Sequence, residues 1–224
     1  MPESRSYDLS GFDTVIVSTG VRALVSIAET HSVRVEARDA ETLDRLDVSV
    51  VGGRLHLGFS RNFIDFILNG GLIDLLRFGG DFGVTAYVTL PALNGAEASS
   101  GGSVEATGVR SERFRGEASS GGQLTLLGVS GGDFRLAASS GGQAEIEGAA
   151  AEFDASVSSG GRIRADRFSV ARGRLEASSG GSLEALVTAR VRANASSGGQ
   201  IEIRGNPPDR DITSSSGGNV SVRP

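Results

Sequence analysis

The tetrapeptide Ser-Ser-Gly-Gly occurs seven times in this chain of 224 residues, at nearly constant intervals of 18 to 20 residues. Its copies begin at Ser99, Ser119, Ser139, Ser158, Ser178, Ser196 and Ser215. A period this regular indicates one structural unit stacked on copies of itself, as in a solenoid. The repeat therefore constrains the architecture of the C-terminal part of the chain, although it identifies no reaction.

Polar and apolar residues alternate after each tetrapeptide, in the same register in all seven copies. The first copy, Ser103–Ala106, reads polar, apolar, polar, apolar. Period two is the signature of a strand with one buried face. A second alternating strand precedes each tetrapeptide, and three consecutive copies carry Phe114, Phe134 and Phe153 at the same place.

Two short strands cannot bury their apolar faces alone, but stacked copies can, with equivalent strands parallel and about 4.8 Å apart. We therefore predict an all-β protein in which residues 96–224 form a parallel β-helix of about seven coils. Parallel crossovers are nearly always right-handed, which predicts a right-handed coil. In this arrangement Phe114, Phe134 and Phe153 would stack as a column inside the solenoid.

The Ser-Ser-Gly-Gly corner has a structural explanation and a functional alternative. Glycine reaches the positive φ values that a sharp bend requires, and serine hydroxyls bond neighbouring backbone groups or each other. The alternative is a serine stripe for sugar binding or glycosylation. A calcium-binding Gly-rich repeat is excluded, because it needs an Asp at fixed spacing and the residue after Gly-Gly is Ser, Gln, Arg or Asn.

Residues 1–95 are also rich in strand patterns but lack the repeat, and we predict that they form a β-rich cap over one end of the coil. Within them, segment 60–83 holds a run of large apolar residues between glycines. We expect it either to fold over the coil end or to form an exposed patch for self-association or membrane contact. The patch residues are Phe63, Ile64, Phe66, Ile67, Leu72, Ile73, Leu75, Leu76 and Phe78.

Composition excludes several classes of protein. The net charge of −5 argues against a nucleic-acid partner, and the absence of cysteine excludes disulfides and thiolate metal sites. All 22 basic residues are arginine, so no lysine chemistry is available. No apolar run is long enough for a transmembrane segment. The polar start Met1–Arg5 shows no signal peptide, which predicts a cytosolic protein or one whose export signal was removed.

No catalytic, cofactor or metal site is predicted. His31 and His56 lie in strand-like runs, and no nucleophile elbow, P-loop or dinucleotide fingerprint is present. Loop residues Asn206, Asp209 and Asp211 are more typical of a solvated turn than of a cation site. Two outward lines of like charge are expected along the coil, as solvated surface or an elongated binding face: Glu105, Glu145, Glu184 and Glu202, and Arg115, Arg135, Arg174 and Arg192.

The chain resembles the head GIN domain family over roughly residues 8–223. The resemblance rests on Phe12–Val15, on Val88-Thr89-Leu90-Pro91 and on the repeated Ser-Gly-Gly corners that follow. These bacterial proteins are labelled autotransporter adhesins, and the resemblance implies a β-helix in an extracytoplasmic setting without catalytic residues. The hydrophobic segment 60–83 and the absence of an export signal depart from the family.

Three functions remain open at this point. The first is a non-enzymatic structural or adhesive module of the bacterial envelope, whose partner is a glycan, another cell-surface component or a second copy. The second is a carbohydrate-active β-helix enzyme, which requires converging carboxylates in a groove. The third is a cytosolic scaffold that self-associates through Phe63–Phe78.

Overall fold

The computed structural model describes residues 3–59 and 83–224, and the described strands form one continuous sheet. The N-terminal elements are β1 (Glu3–Tyr7), β2 (Thr14–Val17), β3 (Arg22–Ile27), β4 (Ser32–Ala37), α1 (Ala40–Asp44), β5 (Leu46–Val51), β6 (Arg54–Phe59) and β7 (Thr85–Leu90). The repeat supplies β8 (Gly95–Ala98), β9 (Ser103–Thr107), β10 (Arg110–Ala118), β11 (Gln123–Ala138), β12 (Gln143–Val157), β13 (Arg162–Ala177), β14 (Ser182–Ala195), β15 (Gln200–Arg204), β16 (Asp209–Ser214) and β17 (Asn219–Arg223).

The repeat folds as a parallel β-solenoid, which confirms the predicted architecture. Strands β10 to β14 pair with their neighbours in parallel, and equivalent repeat residues lie side by side, as Gln123 does with Gln143. Each inner coil has three strand segments, of which the sequence identified the two next to the corners. In β11 they are 123–126, 129–131 and 133–138, because the register shifts between Leu126 and Val129.

Residues before the repeat also build parallel coils of the same solenoid. β2 and β3 pair in parallel with β8 and β9 on one side, and with β6 and β7 on the other. The coil of β6 and β7 is then covered by antiparallel strands: β5 pairs with β6, β4 with β7, and β1 with β4. The boundary at residue 95 stays a prediction, since strands on both sides of it share one sheet.

The core is a set of columns in which equivalent inward residues of successive coils meet. One column alternates small and large side chains: Gly116, Leu136, Ala155, Leu175, Ala193 and Ile212. A Cβ on Gly116 would lie 2.5 Å from the side chain of Leu136, so the small residue makes room for the large one. Close packing of this kind requires complementary volumes on facing coils.

The aromatic residues meet inside the solenoid in a different pattern from the predicted column. Phe114 and Phe134 stack with centroids 5.3 Å apart, as expected. Phe168, which sequence reasoning did not place in the core, makes the edge-on contacts with both Phe134 and Phe153, at 5.5 and 5.3 Å. Phe168 reaches these rings from the middle strand segment of its coil, which the sequence patterns did not identify.

Candidate functional site

Each Ser-Ser-Gly-Gly corner is a two-residue turn with positive φ at both central residues. The angle is 47° to 50° for the second Ser and 70° to 76° for the first Gly. The carbonyl of the first Ser accepts a hydrogen bond from the amide of the last Gly at 2.8 to 2.9 Å. These are the features of a type I′ turn, which favours glycine and asparagine. A serine is therefore held in a left-handed conformation at the same place in seven corners.

Backbone groups, rather than hydroxyls, join the corners along the axis. The amide of Gly121 donates to the carbonyl of Ser140 in the next coil at 3.2 Å, and equivalent bonds repeat along the file. The last Gly is required by the coil before it, because a Cβ on Gly142 would overlap the carbonyl of Ala118. The seven corners therefore lie in one file, as stacked coils require.

An eighth corner, Ser18-Thr19-Gly20-Val21, continues the file into the N-terminal region. Thr19 and Gly20 have φ of 55° and 69°, and Val21 donates to the Ser18 carbonyl at 3.3 Å. The amide of Gly20 then donates to the Ser100 carbonyl. Sequence reasoning missed this corner because only Ser18 and Gly20 match the repeat. The available signal was a Thr-Gly pair between two alternating apolar runs.

The serine hydroxyls of the seven corners have no side-chain hydrogen bonds within residues 3–59 and 83–224. Hydroxyl groups that do donate in this part of the chain, such as those of Thr14, Thr89, Ser111 and Thr188, lie outside the corners. The bonds between stacked hydroxyls that the sequence suggested are therefore not formed. Every second Ser is exposed, and six of the seven first serines are half-buried. The corners thus present rows of hydroxyls that are available to a ligand.

The strand segments before the corners form one outward face, and this face carries an open trough along the solenoid axis. Three adjoining depressions of about 410, 320 and 310 Å³ make up the trough. Ala137 and Ser156 line both the first and the second depression, while Glu176 and Asn194 line both the second and the third. The trough therefore crosses several coils instead of ending in one enclosed pocket.

The trough exists because one outward column contains small residues in its middle. Ala137 and Ser156 stand in register between Glu117 and Glu176. One bank is the predicted arginine line, which the strand register brings together with one aspartate inserted: Arg115, Arg135, Asp154, Arg174 and Arg192. The other bank is formed in its middle by first serines of the corners: Ser139, Ser158, Ser178 and Ser196.

Most arginines of the bank are held by carboxylates. Arg174 lies 3.0 Å from Glu176, and Arg192 lies 2.8 Å from Asp211. The hydrogen bond to Glu176 is the main cause that raises the pKa of Arg174 above its ordinary value. Asp133, at 3.0 Å, acts in the same way on the pKa of Arg135. These pairs fix the guanidinium planes along the bank.

The predicted glutamate line lies on the face formed by the strand segments after the corners. Register places Glu105, Thr125, Glu145, Arg164, Glu184 and Glu202 in one column. Arg204 contacts Glu184 and Glu202 at 3.7 and 3.3 Å, and also Asp166 at 3.2 Å. This face carries a single depression of about 90 Å³ among those described. It is therefore an ion-paired surface without a comparable trough.

The remaining candidate residues have structural partners. Nε2 of His31 lies 2.9 Å from the carbonyl oxygen of Phe12, and the two rings pack edge-on. Asp209 pairs with Arg190 at 3.2 Å, as Asp211 does with Arg192, which leaves the Asn206 loop without a cation site. No group of His, Asp or Glu in the described ranges is arranged to bind a metal ion.

The predicted hydrophobic patch, Phe63 to Phe78, lies outside the described residues. The structure describes the residues on either side of this segment. Gly58 follows Leu57, which pairs with Val17, and Val84 precedes Thr85, which pairs with Arg22. Gly58 and Val84 therefore correspond to Ser18 and Val21 of the eighth corner. In the described part of the chain, no helix is both long and apolar enough to span a membrane.

Several solved structures of bacterial proteins share this fold. The structure of a "putative adhesin" from Bacteroides fragilis matches with a TM-score of 0.82 at 15% identity, over 100% of this chain and 97% of that one. A "putative lipid binding protein" from Parabacteroides distasonis gives a TM-score of 0.68 at 18% identity, also over 100% and 97%. A "putative adhesin" from Parabacteroides merdae gives 0.65 at 14% identity, over 100% and 96%. At these identities the likeness shows the fold alone.

No curated protein matches the chain. A family model does, over residues 11–207, and it is described as "Putative auto-transporter adhesin, head GIN domain". The match includes the N-terminal coils and six of the seven corners, so it covers both regions on which the resemblance rested. The chain belongs to the head GIN domain family.

Proposed function

We propose that this protein is a non-enzymatic adhesive module of the bacterial cell envelope, which binds its partner through the outward face that carries the trough. The observation that carries this proposal is the continuity of that face across the coils. Each of five successive coils adds a corner serine at the strand spacing, and four of the five add an arginine. Such repetition suits an extended partner better than a small substrate. The adhesin names of the family and of its solved relatives support an extracytoplasmic setting.

The charges of the trough favour binding over catalysis. A glycosidase needs two carboxyl groups that converge on one bond, one of them with a raised pKa. The trough instead pairs Glu176 with Arg174 and Asp211 with Arg192. In both pairs the carboxylate is hydrogen-bonded to a guanidinium group, which leaves it less available to act on a bound sugar.

Adhesion is tested with beads that carry the purified protein. We expect coated beads to adhere to cells of the source bacterium or of species that share its habitat, and soluble protein to compete with them. Albumin-coated beads are the control. Adherence no greater than that of the control beads would contradict the proposed function.

The alternative of a carbohydrate-active enzyme is tested on polysaccharides directly. Incubation with neutral and acidic polysaccharides should release neither reducing ends nor the unsaturated products of a lyase. Release of either product in proportion to enzyme concentration would replace the binding module with an enzyme.

Self-association through segment 60–83 is a separate proposal, which rests on its apolar sequence. Deleting 60–82 together with Phe59→Asn leaves Asn-Gly between Gly58 and Val84, the positions that correspond to the eighth corner. Asn-Gly is the preferred pair for a type I′ turn, so the shortened chain should still fold. We expect light scattering to give a larger mass for the full chain than for the shortened one. Equal states of association would exclude this role.

A further inference from the structure

We propose that the trough binds an uncharged, hydroxyl-rich polysaccharide whose chain runs along the solenoid axis. This inference rests on the proposed function and specifies its ligand. Three features of the trough support it: the balance of charges, the corner serine hydroxyls without a partner in the described structure, and the recurrence of hydrogen-bonding side chains from coil to coil.

The charge balance of the trough argues against a strongly ionic ligand. Four guanidinium groups and five carboxylates line the trough: Arg115, Arg135, Arg174 and Arg192, with Glu97, Glu117, Asp154, Glu176 and Asp211. A polyanion would meet the carboxylates and a polycation the guanidinium groups, so either would be repelled along part of its length. A neutral polymer of hydroxyl groups uses both kinds of side chain, because a hydroxyl donates to a carboxylate and accepts from a guanidinium.

The middle of the trough supplies the matching uncharged groups. Ser139, Ser158 and Ser178 contribute hydroxyls that have no partner in the described structure, and Asn194 contributes an amide. Hydroxyl and amide groups both donate and accept hydrogen bonds, as sugar hydroxyls do. A polar group that is half-buried without a partner gains more from a ligand than one that is already bonded.

Repetition favours a polymer over a single sugar. No aromatic side chain lines the three depressions, so each sugar unit would be held by hydrogen bonds alone and would bind weakly. Successive coils place hydrogen-bonding side chains about every 4.8 Å, so many weak contacts to one polysaccharide chain add together. Affinity should consequently rise with the length of the polysaccharide.

Other polymers fit the trough less well. A peptide that adds a β-strand needs a free sheet edge, whereas the trough lies on a face whose backbone groups are bonded to neighbouring coils. A lipid chain needs an apolar groove. The trough is instead lined on both sides by arginine, carboxylate and serine side chains.

Affinity electrophoresis through gels that contain a polysaccharide tests the inference. The neutral probes are hydroxyethylcellulose, dextran and galactomannan, and the anionic probe is carboxymethylcellulose. We expect at least one neutral probe to retard the protein, more strongly as its chain length increases. Retardation should persist from about 0.05 to about 0.5 M NaCl, because salt screens ionic contacts and leaves neutral hydrogen bonds largely unaffected.

Two matched variants locate the site. Ala137→Leu combined with Ser156→Leu fills the floor of the trough and should weaken binding by about tenfold. Thr125→Leu, in the same strand as Ala137 but on the outward face formed after the corners, should leave binding unchanged. Circular dichroism and urea unfolding check that both variants remain folded.

Three outcomes would overturn the inference. In one, no neutral probe retards the protein. In another, only carboxymethylcellulose retards it and salt abolishes the effect, which would identify an anionic ligand. In the third, the folded Leu pair binds as the natural protein does. If beads still adhere to cells in any of these cases, the adhesive function stands and only its ligand class is wrong.

Discussion

At the N-terminal end of the solenoid, antiparallel strands cover the coil of β6 and β7, whereas the described chain places no strand on the outer edges of β16 and β17 at the C-terminal end. The C-terminal end instead carries polar replacements in the core columns. The column of Phe114, Phe134, Phe153, Gly173 and Val191 ends at Arg210, and the column of Ala177 and Ala195 ends at Ser214.

The two ends solve the same problem with different amounts of sequence. A bare coil offers both apolar surface and unpaired backbone groups to other chains. Covering it required strands outside the repeat, namely β1, β4 and β5. At the C-terminal end the repeat pattern continues and only single residues differ. Arg210 occupies the position of a core residue, and it donates a hydrogen bond to the carbonyl of Pro207 at 2.6 Å. The difference between the two ends predicts which substitutions lower the free energy of unfolding and which change association with other chains.

Truncation of an inner aromatic residue should have the largest effect. Phe134 is fully buried and contacts both Phe114 and Phe168, so Phe134→Ala should lower the free energy of unfolding by about 3–5 kcal/mol. Ile212→Ala at the C-terminal end should lower it by less than about 1 kcal/mol, because that residue is 40% exposed. Urea unfolding measures both. Equal losses would show that the C-terminal coil is as well packed as the inner ones.

The last glycine of a corner should be needed more in the inner coils than at the start of the repeat. Gly142→Ala places a Cβ against the Ala118 carbonyl and should cost about 1–3 kcal/mol of stability. Gly102→Ala meets its nearest atoms at 3.1 Å, at the junction with the coil of β2 and β3, and should cost less. Urea midpoints for the two variants test the order, and a larger loss at Gly102 would contradict it.

Sequence alone predicts most of the solenoid because the repeat fixes the register. Once Ser119 and Ser139 are assigned to equivalent corners, the outward and inward columns of the strand segments next to each corner follow by counting from that corner. The eighth corner and Phe168 were missed for the opposite reason. Ser18-Thr19-Gly20-Val21 retains the turn angles with little of the sequence, and Phe168 lies in a strand segment whose length varies between coils.

The candidate site was predictable only in part. Both banks of the trough were recognised from sequence, the arginine line as a charged column and the serines as a corner. The floor of the trough was not recognised from the sequence, because the depth of a depression depends on the relative volumes of neighbouring side chains. Ala137 and Ser156 are small only in comparison with Glu117 and Glu176, which become their neighbours through strand pairing.

Restoring the repeat at the C-terminal end should change association more than stability. Arg210→Val returns an apolar residue to the core column and removes a charge from an edge strand. The free energy of unfolding should change by no more than about 0.5 kcal/mol. Light scattering should show concentration-dependent growth in mass for this variant, with Arg210→Gln as the polar control. An unchanged mass would show that Arg210 does not protect the end.

The smallest effect is expected in the linker between the covering strands β4 and β5. The Asp39 carboxylate caps α1 by accepting from the Thr42 amide at 2.8 Å. Hydrogen bonds from the Thr42 side chain and then its amide lower the pKa of Asp39 below its ordinary 3.8. Because the folded-state pKa is the lower one, this stabilisation is complete above pH 3.8 and is lost as the pH falls through the folded-state value.

Asp39→Ala should therefore lower the urea midpoint at pH 7 and converge on the natural protein in acid. Asp39→Asn, which still caps the helix, should lose only the pH dependence. A constant difference between Asp39→Ala and the natural protein at every pH would show that the carboxylate charge contributes nothing to the covered end.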